Sequence, residues 1–130
     1  KLDNFIKKRK KIAKFYNNYF SKFKDFTIPY INQDISHSYH LYPLQFDFKK
    51  NRKSKREMFN YLYSKGINLQ VHYMPVHLQQ FYKKKFKYKK GDFPEAEKFY
   101  EKVFSLPIYP DLNYKNIKYV VKHITKYLVN

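Results

Sequence analysis

Residues 66–82 read GINLQVHYMPVHLQQFY. Gly66 stands where a left-handed helix stop needs a residue without Cβ. Ile67 to Met74 follows as a predicted strand, closed by Pro75. His72 and His77 flank Tyr73-Met74-Pro75-Val76. Two imidazoles therefore stand at a strand end, beside aromatics, in a proline-stiffened turn. Fixed loops of this kind often carry binding groups.

Upstream of Gly66, Ser54 and Glu57 are spaced as a capping box. Met58, Phe59, Leu62 and Tyr63 then form the buried stripe of a predicted helix. Residues 38–48, SYHLYPLQFDF, read as a strand that Pro43 demotes to an edge or breaks at a bulge. Residues 24–37 read as a loop or short extended piece. At the start, Leu2, Phe5, Ile6, Ala13, Tyr16, Tyr19, Phe20 and Phe23 fall on helical spacing. They predict an amphipathic helix of roughly twenty residues. The chain opens on Lys1 inside that pattern, which reads as the cut end of a longer polypeptide.

Downstream, residues 76–91 interleave lysines with aromatics and predict a short helix or irregular loop. Asp92 and Pro94 mark a helix start, with Ala96, Phe99, Tyr100 and Val103 as its inner face. The two prolines of SLPIYP, residues 105–110, exclude helix and leave a short extended segment and turn. Ile117, Val120, Val121, Ile124 and Leu128 make a last amphipathic helix, with Asn113 as its cap. The predicted fold class is α+β: a short sheet with helices packed on one face. The 130 residues fit one domain, 1–130, or a piece of a larger protein.

Composition bounds the chemistry. With 28 Lys+Arg against 10 Asp+Glu, the net charge is +18, yet 22% of residues are aromatic. A disordered polycation lacks such aromatic content. The 2 glycines exclude a Gly-rich phosphate loop. The 0 cysteines remove disulfides, thiolate catalysis and Cys-ligated zinc. Apolar runs are far shorter than the ~18 residues of a membrane span. There is no signal-peptide pattern, so a reducing, cytoplasmic location is the expectation.

A nucleic-acid surface at 81–90 is weighed against a plain solvated surface. Only Arg9, Arg52 and Arg56 supply the guanidinium favoured for bidentate recognition, so the solvated surface is preferred. No acidic residue sits at ligand spacing near His37, His40, His72 or His77, so no metal is assigned. Asp92, Glu95 and Glu97 are explained by a helix start. For His72 and His77, hydrogen bonding to a polar ligand and a structural pairing both stay open.

The strings QVHYMPVHLQQFY and GDFPEAEKFY, followed by SLPIYPDL, resemble the C-terminal part of the DegT/DnrJ/StrS sugar aminotransferases. Residues 1–20 resemble the long helix entering that family's small domain. The likeness covers nearly the whole chain, and within the family it is strongest to the branch acting in pseudaminic acid synthesis. It implies the small C-terminal domain of an aspartate-aminotransferase-type (fold type I) enzyme, with a mostly antiparallel sheet. The parent enzyme would use pyridoxal 5'-phosphate (PLP) to move an amino group from glutamate to the 4-keto group of a UDP-linked deoxy sugar. It would be a homodimer, with no nucleic acid or membrane partner. The cofactor-bearing lysine would lie in an N-terminal domain absent here, so no catalytic residue is assigned and this chain alone would be inactive. His72, Tyr73 and His77 are the candidate substrate-binding residues. Arg52 and Arg56 are placed on the surface.

Overall fold

The computed structural model describes residues 1–129. Helix α1 spans Leu2–Phe20, as its periodicity predicts, and buries Ile12, Ala13, Tyr16 and Phe20. Leu2 at its start remains exposed. Strand β1 is Phe26–Thr27, β2 is Tyr42–Phe46 and β3 is Val103–Leu106. The sheet order is β1-β2-β3, antiparallel throughout. Helix α2 is Lys55–Ser64, α3 is Gln80–Phe86, α4 is Pro94–Lys102 and α5 is Tyr114–Leu128; a 3-10 turn spans Val76–Leu78.

Local rules explain the ends of α2 and α5. Ser54 Oγ accepts the Glu57 backbone N–H at 3.2 Å. Only that half of the predicted box forms, because the Glu57 carboxylate instead accepts the Tyr127 hydroxyl at 3.3 Å. At the other end of α2, Gly66 N–H reaches Tyr63 O and Ile67 N–H reaches Leu62 O, both at 2.9 Å. This paired pattern needs a left-handed residue at Gly66, whose φ is +71°. Ile67 and Leu62, both buried, close the stop. Asn113 caps α5 through the Asn116 N–H at 2.8 Å.

The core joins the inner face of the sheet (Tyr42, Leu44, Phe46, Phe104 and Leu106) to α1, α2 and α5. Helix α5 contributes Ile117, Val120, Val121, Ile124 and Leu128. Each such side chain stabilises by roughly 1.5–3 kcal/mol on burial. The core's hydroxyls are satisfied: Tyr16 donates to Pro107 O at 2.8 Å and Tyr42 to Asn17 Oδ1 at 2.6 Å. Burial raises both phenol pKa values above the ordinary tyrosine range.

Three expectations change. Pro43 lies in the middle strand, not at an edge. It faces Ser105, whose N–H and C=O both point away, to Gln70. In such a pair the Pro43 nitrogen also points away from β3, toward the side that two-residue β1 does not reach. The missing N–H costs no rung.

The predicted strand 67–74 shrinks to one bridge, Gln70 to Ser105. The neighbouring rungs are blocked. Pro107 has no N–H to give, and the Val103 N–H is already bonded to Phe99 O at the end of α4.

Helix α4 buries only part of its predicted inner face: Val103 is buried, as the first residue of β3, and Tyr100 is half-buried. Ala96 and Phe99 are exposed, and the one residue buried within α4 itself is Glu97.

Candidate functional site

The 3-10 turn and the chain before it carry His72, Tyr73 and His77, and the structure sets them in three environments. The Gln70 bridge draws the chain against β3, so that His72 Nε2 meets Ser105 Oγ at 2.8 Å. Phe99 lies edge-on, 6.2 Å from the His72 ring. Burial, then the charge of Lys55, holds the His72 imidazole below its ordinary pKa. It is therefore neutral at pH 7. Tyr73 is 92% exposed and presents its phenol to solvent.

His77 is only 7% exposed. Its Nε2 lies 2.9 Å from Glu97 Oε1, and the ring packs 4.8 Å from Phe93. The same Glu97 oxygen accepts the Gly91 N–H at 2.8 Å. An ionised carboxylate only accepts, so His77 Nε2 carries the proton. The His77 and Gly91 bonds, with a lesser one from the Phe93 N–H, hold the Glu97 carboxyl below the usual carboxylate range. Beside the pair lies an open cavity of about 420 Å³, walled by Pro75, Val76, Tyr82, Phe86 and Phe93.

Glu97 is the residue that sequence reasoning missed. Helix-start logic accounts for Asp92 and Glu95 but not for a carboxylate on the inward face of α4. The available signal is an acidic residue and a histidine each set among aromatics in a lysine-rich stretch. Arg52 and Arg56 are on the surface, as expected. The lysines of α3 are exposed too. Among the described residues, no three His, Cys, Asp or Glu side chains gather as a metal-holding group, and no helix is long and apolar enough to cross a membrane.

Around this loop large apolar side chains are exposed among the lysines. Val71, Tyr73, Met74, Val76, Phe81 and Phe86 are all exposed, as are Phe93 and Phe99. Large apolar side chains exposed together mark interaction sites.

Residues 1–125 match the DegT/DnrJ/EryC1/StrS aminotransferase family, and the chain belongs to it. It is 39% identical over 120 residues to the uncharacterized protein MJ1066 of Methanocaldococcus jannaschii, covering 92% of this chain and 31% of that one. It is 37% identical over 122 residues to the UDP-4-amino-4,6-dideoxy-N-acetyl-beta-L-altrosamine transaminase of Campylobacter jejuni, again covering 92% and 31%. Its fold matches Helicobacter pylori PseC, an aminotransferase involved in the biosynthesis of pseudoaminic acid, with a TM-score of 0.84 at 28% identity; that match covers 96% of this chain and 33% of PseC. The chain thus spans about a third of the length of the relatives it matches. The small α+β fold with an antiparallel sheet is that of aminotransferases. This membership does not favour a stand-alone nucleic-acid module.

The described residues do not by themselves fit PLP. Neither glycine makes a close backbone approach, since a Cβ at Gly66 or Gly91 would meet nothing within 4 Å. Lys55 is the lysine whose pKa burial lowers, but its amine is spent on Tyr100 O at 2.8 Å. No carboxylate among the described residues pairs with it.

Proposed function

We propose that this chain is the small, C-terminal domain of a PLP-dependent sugar-nucleotide aminotransferase. The observation that carries the reading is the family match over residues 1–125, at a third of the relatives' length. The parent enzyme moves an amino group from glutamate to the 4-keto group of a UDP-linked deoxy sugar, in pseudaminic-acid-type glycan synthesis. It works as a cytoplasmic homodimer. PLP would be held by the N-terminal domain, where it would supply the electron sink for the exchange. The exposed apolar side chains Val71, Tyr73, Met74 and Val76 pack on that larger domain. This supports a closing role for the 72–79 loop, with His72, Tyr73 and His77 toward the sugar nucleotide.

Two of these residues offer clean tests in the enzyme that carries this chain. Tyr73→Phe and His72→Gln should each raise KM for the UDP-sugar several-fold while changing kcat less, as expected when substrate positioning is lost. An unchanged KM in both variants refutes the substrate role. The chain alone, mixed with stoichiometric PLP, should show no absorbance band of an internal aldimine and no transaminase activity.

A further inference from the structure

We infer that Glu97 is a positioning residue: through one carboxylate oxygen it clasps both ends of the excursion from His77 to Gly91. This deepens the reading of the 72–79 loop and rests on it only for the use to which the loop is put. The test needs no substrate, so the two ideas fail separately.

The geometry is unusual in its economy. Residues 78–90 leave the body of the domain as α3 and its flanking turns. None of the residues of α3 is buried. Packing therefore holds this excursion weakly, and its placement depends on the anchors at its base. His77 enters the excursion and Gly91 leaves it, and both donate to Glu97 Oε1, at 2.9 and 2.8 Å. Glu97 itself sits on α4, outside the excursion. Its N–H is fixed to Phe93 O at 3.1 Å. A charge-assisted bond shared in this way closes the loop at a point that the aromatic cavity also borders. Because the carboxylate only accepts, it also sets which His77 nitrogen bears the proton. His77 Nδ1 is then the nitrogen left for other partners.

The other charged groups on the surrounding elements have partners of their own or are exposed. Asp92 accepts the Lys89 N–H at 2.9 Å. Lys90 lies 3.8 Å from Glu101, and Lys98 lies 2.7 Å from Glu95. Lys83, Lys84 and Lys85 on α3 are exposed. The clasp is therefore closed while Glu97 is ionised. Since folding depresses the Glu97 pKa, the clasp is kept through neutral pH and lost as the pH falls below the ordinary glutamate range of about 4.3.

The composition supplies the probe. The chain has only 2 glycines, so labelling with 15N-glycine gives two backbone amide signals. Gly91 reports on the clasp. Gly66, bonded to Tyr63 O, is the internal control. On acidification the Gly91 signal should move with a midpoint below the ordinary glutamate value while Gly66 stays in place. Glu97→Gln should abolish that movement and speed exchange of the Gly91 amide by roughly tenfold or more. His77→Gln should shift the Gly91 midpoint upward, because the His77 bond is the largest cause of the depressed value. A Gly91 movement that persists in Glu97→Gln belongs to Asp92 and overturns the inference. So does unchanged Gly91 exchange with Gly66 intact, or joint movement of both glycines. Should Glu97→Gln unfold, seen as loss of the folded Gly66 signal, the wild-type titration and the His77→Gln shift decide.

Discussion

The substitution Ser105→Ala isolates the contact that orients His72. Ser105 is 2% exposed, and its hydroxyl bonds His72 Nε2 at 2.8 Å. Removing one oxygen from a buried serine leaves almost no cavity, so the effect runs through that bond. A neutral hydrogen bond contributes about 0.5–1.5 kcal/mol net. His72 is only partly buried, so water can replace the lost partner and the lower half of that range is expected. Unfolding entropy near 2.1 cal/mol/K per residue gives about 0.27 kcal/mol/K for 130 residues. The expected fall in Tm is therefore about 2–4 °C, measured by circular dichroism. A second readout is the His72 ring signal in an NMR pH titration. Burial and Lys55 lower its pKa, and Ser105 is not among the causes. The variant should keep a His72 pKa below 6.5. A ring that returns to the ordinary value, or a Tm that does not move, refutes the account of this contact.

Three further outcomes follow from local geometry. Gly66→Ala should lower stability by about 1–2 kcal/mol in urea melts through backbone strain alone, since φ is +71° and the added Cβ meets nothing. Asn113→Ala should cost about 1 kcal/mol by removing the α5 cap, while Asn113→Asp should retain it. His72 and His123 both have depressed pKa values, chiefly through desolvation. The unfolded chain then binds more protons, so stability should rise with pH through the region just below 6.5 and flatten above it. A melting temperature that is higher at pH 5 than at pH 7 would contradict this.

What was legible in the chain was local. The caps at Ser54 and Asn113 and the stop at Gly66 need only neighbours within one turn, and all three form. The α5 stripe is legible because helical spacing alone selects its inward face. The strand at 67–74 failed for a non-local reason. Its rungs depend on Pro107 and on a Val103 N–H already claimed by α4, more than thirty residues away. The α4 face failed at Ala96 and Phe99 because spacing finds an apolar stripe but does not say what covers it. Glu97 escaped because its partner, His77, lies on a different element. A buried pair drawn from two elements has no spacing signature.

Pro43 carries a consequence for how the domain behaves in solution. Two-residue β1 pairs only with Gln45 and Phe46, so the first half of β2 has no strand partner along one side. An open strand side is a template on which other chains can add. Here the backbone position turned toward that side is a proline, and an incoming strand would find no donor to pair with. In a chain that displays many aromatic rings, Pro43 thus withholds one hydrogen bond from any strand adding at that side.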